Sequence, residues 1–175
     1  MKKVVLYMAT SIDGYVASND GGVDWLETEV DLGNDDYAFE SFKGRVDTIL
    51  MGRKSYEQTL TFGDWAFGNH NTYVFSKSAF EPSSPNTKVV TDLSVDFVNQ
   101  LKSEEGKDIW LFGGGNLNHF FLENELIDEI MLFIQPVALG SGIALFGDMP
   151  ADVKKFRKKE TADLGGGFTL LWYQK

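Results

Sequence analysis

Residues 108–121 read DIWLFGGGNLNHFF. Positions 108–112 are a short, largely apolar run of the kind that forms a buried strand. Gly113-Gly114-Gly115 follows with no side chain at three successive positions. Leu117, Phe120 and Phe121 then recur at helical spacing. A buried strand that turns through glycine straight into an amphipathic helix is the strand-to-helix junction of a parallel sheet. Three consecutive glycines cost conformational entropy, which a simple turn does not explain well. They let backbone approach a ligand closely, and the N-terminus of the next helix can receive a phosphate. The spacing is not the GxGxxG fingerprint.

Outward from this junction the same pattern repeats. Residues 46–51, VDTILM, form a second buried strand, and Gly52 opens a short helix with Arg53, Lys54, Ser55 and Tyr56. Cations at a helix N-terminus oppose the helix dipole. Either both side chains extend into water, or an anion held there offsets the repulsion. Further strands are expected at 3–9, 72–75, 87–91 and 127–135. Asn34 can cap a helix running to about Lys43, with Asp35, Phe39 and Phe42 on one face. Asp92 or Ser94 can cap another that ends near Gly106. Residues 155–162 and 167–174 read as a terminal hairpin around Gly165-Gly166-Gly167. The expected architecture is one α/β domain over residues 1–175. Its central sheet is mixed but mostly parallel and flanked by helices, with an antiparallel C-terminal hairpin. Residues 10–33 read as a long loop with a short strand at 15–17, and loops of this length are usually functional. Phe75-Ser76-Lys77-Ser78 ends a strand with two hydroxyls around an ammonium, a combination suited to a phosphate monoester.

Composition narrows the chemistry. The chain has 175 residues, 43% of them hydrophobic, enough for a core without staples. It has no cysteine, which excludes disulfides, thiolate metal sites and a Cys nucleophile. His70 and His119 are the only imidazoles, so no metal site is expected. A net charge of −10 argues against nucleic acid and anionic membrane partners. No apolar run approaches the ~18 residues of a membrane span, and the start lacks a signal-peptide pattern. The expected location is the cytoplasm.

Taken together, these segments resemble the dihydrofolate reductase superfamily, and within it the branch of the RibD C-terminal domain of riboflavin biosynthesis. The likeness runs from about Lys2 to Tyr173. It rests on Met8-Ala9 with Ser11-Ile12-Asp13-Gly14, on Met51 to Glu57, on Phe112 to Leu117, and on Pro136 to Gly142 followed by Leu145-Phe146. The resemblance implies a reductase that transfers hydride from NADPH to a C=N or C=O bond of a small pterin- or pyrimidine-like heterocycle, as in 5-amino-6-(5-phosphoribosylamino)uracil reductase. It implies that Gly52, Arg53, Lys54 and Ser55, with Ser76, Lys77 and Ser78, hold the adenosine and its 2′-phosphate. Gly113, Gly114, Gly115, Asn116 and Leu117 would hold the pyrophosphate, and Ala9 and Phe112 would border the nicotinamide. For the proton, Asp36 or Asp35 falls where folate reductases carry the acid of the first helix, and Asp13 is the alternative. Trp25, Asp35, Phe39 and Tyr56 are the candidate substrate contacts. A homodimer through the terminal strands is also implied.

The chain departs from folate reductases in three places. Val23-Asp24-Trp25-Leu26 replaces a proline-bracketed tryptophan. Asn118 stands where those enzymes commonly place a tyrosine. Phe133-Ile134-Gln135 lacks their supporting threonine. These differences weaken a folate substrate more than they weaken the cofactor. A true dihydrofolate reductase and a non-catalytic nucleotide-binding module are the alternatives.

Overall fold

Strand β1 (Val4–Thr10) lies in the middle of the sheet, parallel to a strand on either side. That position explains its unbroken apolar run, because both of its faces are covered. The computed structural model describes residues 1–26, 39–148 and 152–175. Within them the chain continues as β2 (Tyr15–Ala17), α1 (Phe39–Arg45), β3 (Val46–Gly52), α2 (Arg53–Thr59), β4 (Asn71–Phe75) and β5 (Thr87–Val90). Then follow α3 (Val95–Ser103), β6 (Asp108–Gly113), α4 (Gly115–Glu123), β7 (Glu129–Ile134), β8 (Ile143–Ala144), β9 (Arg157–Asp163) and β10 (Thr169–Gln174).

Eight strands form one sheet in the order β5-β4-β3-β6-β1-β7-β10-β9. The first six are mutually parallel, and β10 and β9 complete the sheet as an antiparallel hairpin. The expected α/β architecture is the one observed. Side chains alternate along each strand and so build two cores. Val4, Leu6, Leu50, Ile109 and Leu111 meet Val98 and Leu101 of α3 and Leu117 and Phe121 of α4. Val5, Ile49, Met51 and Trp110 meet Phe42 of α1 and Tyr56 of α2.

Local chemistry fixes several boundaries. Ser94, rather than Asp92, caps α3 by accepting the Phe97 N–H at 3.3 Å. The terminal hairpin turns where Gly165, Gly166 and Gly167 all take positive φ. The described part of α1 begins at Phe39, so the Asn34 cap lies outside the described residues. One element was not anticipated. β8 pairs antiparallel with β2 to make a second, two-stranded sheet. Two residues are too few to show a period in sequence.

The end of the sheet away from the glycine turn is held by charge. Glu129 is 1% exposed and pairs with Lys3 at 2.7 Å and Arg45 at 2.9 Å. The Trp172 indole N–H donates at 3.1 Å to Oε2, the oxygen that also accepts from Arg45, while Lys3 takes Oε1. Lys159 lies over the Trp172 ring, 3.6 Å from its centre. Burial alone would raise the Glu129 pKa, but the Lys3 and Arg45 hydrogen bonds and the neighbouring cations outweigh it and hold the carboxyl below the ordinary range. A depressed folded pKa adds stability above the unfolded pKa, and that stability is lost as pH falls through the folded value. Glu129→Gln should therefore cost about 2–4 kcal/mol at pH 7, because it leaves the cations around it uncompensated. Chemical denaturation from pH 7 down to pH 3 checks this. The wild type should lose its advantage over the variant below about pH 4.3. A constant gap across that range would exclude the ionised carboxylate as its source.

Candidate active site

Strands β3 and β6 are neighbours, and their ends place two turns side by side. Met51 lies opposite Gly113 in the ladder. A Cβ built on Gly52 would meet nothing closer than the Gly113 carbonyl oxygen, at 3.7 Å. The Ser55 hydroxyl of α2 accepts the Gly114 N–H at 3.3 Å. The cationic turn and the glycine turn are thus joined by a direct hydrogen bond. Gly114 gives α4 no side-chain cap, so the first N–H groups of that helix have no intrahelical partner.

The glycines of the second turn have separate reasons. Gly113 takes φ +95°, and a Cβ there would fall 2.6 Å from Met8 Cε and 2.7 Å from Asn118 Oδ1. A Cβ on Gly115 would fall 2.6 Å from the Ala144 carbonyl oxygen and 3.1 Å from the Gly147 nitrogen. The missing side chains at 113 and 115 are thus already required by the chain's own packing. At Gly52 and Gly114 a Cβ would meet only one atom each, the Gly113 carbonyl oxygen at 3.7 Å and Ser55 Oγ at 3.3 Å.

Arg53 reaches from α2 to the loop after β4. Its guanidinium donates to Glu57 at 2.7 Å and to Ser78 Oγ at 3.3 Å, and stands 4.6 Å from the centre of the Phe80 ring. Ser76 and Ser78 form a tight turn in which Ser76 Oγ donates to the Ser78 carbonyl at 2.7 Å. Lys54 and Lys77 are exposed. The structure therefore brings Arg53, Ser76 and Ser78 together next to Ser55 and Gly114. Asn116 is exposed at the start of α4, while Leu117 is buried in the core.

On the α1 side of the sheet, Ala9 of β1 lies in register with Phe133 of β7. The Tyr7 ring sits 4.7 Å from Phe133 and 6.3 Å from Phe39, and Phe112 sits 4.9 Å from Trp110. Tyr7, Phe112 and Phe133 are half-buried, and Phe39 is 39% exposed. They form a shallow aromatic tray over the buried Phe42, Phe67 and Trp110. Burial pushes the Tyr7 phenol well above its ordinary pKa.

The remaining candidates separate. Tyr56 points inward at 2% exposure, and its hydroxyl oxygen accepts the Ser83 and Ser84 N–H groups at 2.9 and 3.2 Å. Burial would raise its pKa, but these donors together with the serine hydroxyls lower it. That geometry anchors the 83–84 loop. Asp13 accepts the Ser11 hydroxyl at 2.6 Å and the Leu139 and Gly140 N–H groups at 3.1 and 2.7 Å. The Ser11 hydroxyl, reinforced by the two amides, holds its pKa below the ordinary range. Trp25 is half-buried, and its indole N–H has no acceptor among the described residues. Its loop is tied to α2 by Gln58 Nε2 donating to the Gly21 carbonyl at 2.6 Å. Asp35 and Asp36 lie outside the described residues.

Sequence reasoning missed Asn118 as an organiser of the site. It is 0% exposed and donates to the Leu145 carbonyl at 2.8 Å, while its oxygen has no donor among the described residues. In the sequence it stands out only as a departure from folate reductases. No pattern in the sequence tells that position from any other polar residue on α4.

Residues 2–170 match the model of the RibD C-terminal domain. The chain belongs to that family. It is 34% identical over 170 residues to YwjB of Bacillus subtilis, a protein of uncharacterised function, covering 97% of this chain and 96% of YwjB. A protein of Shewanella sp. PV-4, provisionally assigned to riboflavin biosynthesis, superposes with a TM-score of 0.85 at 29% identity, over 99% of this chain and 98% of its own. The Thermotoga maritima diaminohydroxyphosphoribosylaminopyrimidine deaminase/5-amino-6-(5-phosphoribosylamino)uracil reductase gives 0.70 at 18% identity, and 99% of this chain spans 56% of it. Enterococcus faecalis dihydrofolate reductase, solved with NADP(H), gives 0.68 at 14% identity over 98% and 95%. At these last two identities the likeness is one of fold.

Gly113→Ala tests the constraint at the centre of the site. It forces an L side chain into positive φ against a buried, anchored Asn118, at a cost of roughly 2–4 kcal/mol. The melting temperature should fall by about 5–15 °C. Gly114→Ala, whose Cβ would meet only Ser55 Oγ at 3.3 Å, should move it far less. Equal losses for the two variants would count against the packing argument.

Proposed function

We propose that the chain is an NADPH-dependent reductase of a small heterocycle, with the cofactor across the β3 and β6 strand ends. The carrying observation is the Ser55–Gly114 hydrogen bond, which joins a cation-bearing turn to a glycine turn at adjacent strands. A dinucleotide phosphate needs both parts, donors without side chains for the pyrophosphate and cations for a terminal phosphate. Family membership supports the same reading, as does the NADP(H) bound to the Enterococcus enzyme of the same fold.

In this reading Arg53 and Lys77, with Lys54 and the Ser76 and Ser78 hydroxyls, hold the 2′-phosphate. The Gly114 turn and the open N–H groups of α4 hold the pyrophosphate. Ala9 and Phe112 border the nicotinamide, and the aromatic tray holds the acceptor ring. When bound, NADPH supplies a hydride from C4, which adds to the acceptor carbon of a C=N or C=O bond while a proton adds to the heteroatom. The protein's part is to orient the two rings and exclude water. A carboxyl that donates a proton near neutral pH needs a raised pKa, and Asp13 has the opposite shift. Asp13 is therefore assigned to clipping the loop, and the likeness to folate reductases supports Asp36 or Asp35 as the acid.

Cofactor titration tests this reading. The wild type should bind NADPH more tightly than NADH. Arg53→Ala should weaken NADPH about tenfold, or roughly 1.4 kcal/mol, and leave NADH nearly unchanged. Equal affinity of the wild type for the two cofactors would remove the 2′-phosphate pocket.

A further inference from the structure

A cleft with its own chemistry opens at the opposite end of α4 from the glycine turn. Its volume is about 270 Å³, and it lies between the end of α4, the segment 153–156 that leads into β9, and the residue after β10. The nine residues of α4, about 13 Å of helix, separate it from the turns assigned to the cofactor. Its lining is of two kinds. Leu122, Ile127 and Phe156 make an apolar floor, in which Ile127 is buried and the other two pack against the same core. The charged lining is three lysines, Lys154, Lys155 and Lys175, against one carboxylate, Glu125. That carboxylate is shared. Lys154 Nζ lies 3.8 Å from its Oε1, and Lys175 Nζ lies 3.4 Å from its Oε2. Both separations exceed the about 2.9 Å of a charge-assisted hydrogen bond. The Lys154 side chain is only 17% exposed, so water screens it incompletely. Lys155 is exposed and is in no ion pair among the described residues.

Glu125 stands where the backbone favours glycine. Its φ is +54°, and the Leu126 and Glu125 N–H groups close α4 by donating to the Phe121 and Leu122 carbonyls at 2.9 and 3.1 Å. This is a Schellman turn, whose left-handed position is usually glycine. Ending the helix therefore does not ask for a carboxylate at 125, whereas the lysines around the cleft do. We infer that the cleft binds a small amphipathic anion, a carboxylate or phosphate ester on an apolar body. The floor takes the body, the ammonium groups take the head, and Glu125 is the internal acceptor with which the head competes. The volume falls just short of the ~300 Å³ at which pockets for drug-sized ligands begin, so the body is short. This inference is independent of the reductase reading.

Two-dimensional amide NMR of the full chain, titrated with octanoate, octyl phosphate, octanol and acetate, tests it. At least one of the two long anions should shift the backbone amides of Glu125, Ile127 and Phe156 with a Kd of about 1 mM or tighter. The tighter of the two identifies the head. Octanol has the same body without charge, and acetate has a charged head without the body. Each should bind at least about tenfold more weakly, because floor and cations act together. Lys154→Gln/Lys175→Gln should weaken the anion about tenfold and leave octanol unchanged. Glu125→Asn should tighten the anion, since asparagine tolerates the left-handed backbone and the competing charge is gone. Octanol binding as tightly as both anions would overturn the inference. So would the absence of shifts at these amides at about 10 mM anion, ten times the expected Kd. Shifts confined to Arg53 and Ser78 would also overturn it, because they place the anion on the turns after β3 and β4.

Discussion

At Gly113 the chain must turn with positive φ while Met8 and Asn118 close over its Cα. Everything at the functional end of the sheet is placed by that contact. It sets where β6 stops, where α4 starts, and how near Gly114 comes to Ser55 on the neighbouring strand's helix. Close packing makes such a point rigid, since a shift of one methylene would collide with buried neighbours. The two turns are thereby held in one geometry.

The same contact extends to the loop after β1. Asn118 grips the Leu145 carbonyl, and Gly115 lets residues 144–147 lie directly on α4. That segment in turn pairs with β2, and the Leu145 N–H donates to the Gly14 carbonyl at 3.0 Å. Asp13 bonds the Leu139 and Gly140 amides, and Asn19 donates to Ser141 at 2.9 Å. Residues 136–147 thus form a strap between the glycine turn and the loop that leads toward the tray. The loop after β1 and the glycine turn are joined through it.

Electrostatics divides the molecule into three regions. At the far end of the sheet, opposite charges are paired and partly buried around Glu129, where they fix the hairpin against β1 and α1. At the β3 and β4 ends, Lys54 and Lys77 are exposed and Arg53 is held by Glu57 and Ser78. Along the segment between β1 and α1, negative charge is unbalanced in sequence. Of the 16 Lys and Arg residues in a chain of net charge −10, Arg53, Lys54 and Lys77 lie on the turns that follow β3 and β4.

The sequence by itself determined the parallel α/β fold and the two strand-to-helix junctions, because both rest on contacts local in the chain. Period, glycine and caps are read within a few residues, and buried parallel strands have an unmistakable composition. Tertiary structure alone decided the roles of individual polar residues. Beyond its near neighbour Ser11, Asp13 meets partners 126 and 127 positions away, Tyr56 meets Ser84 after 28, and Glu129 meets Lys3 after 126. A carboxylate becomes a clip, a buried ion or an acid according to which donors surround it and how much water is excluded. Those surroundings come from distant parts of the chain, so the sequence near Asp13 read equally well as a proton donor. The glycines at 113 and 115 illustrate the same limit. Their presence was legible, but the Met8, Asn118, Ala144 and Gly147 atoms that demand them exist as neighbours only after folding.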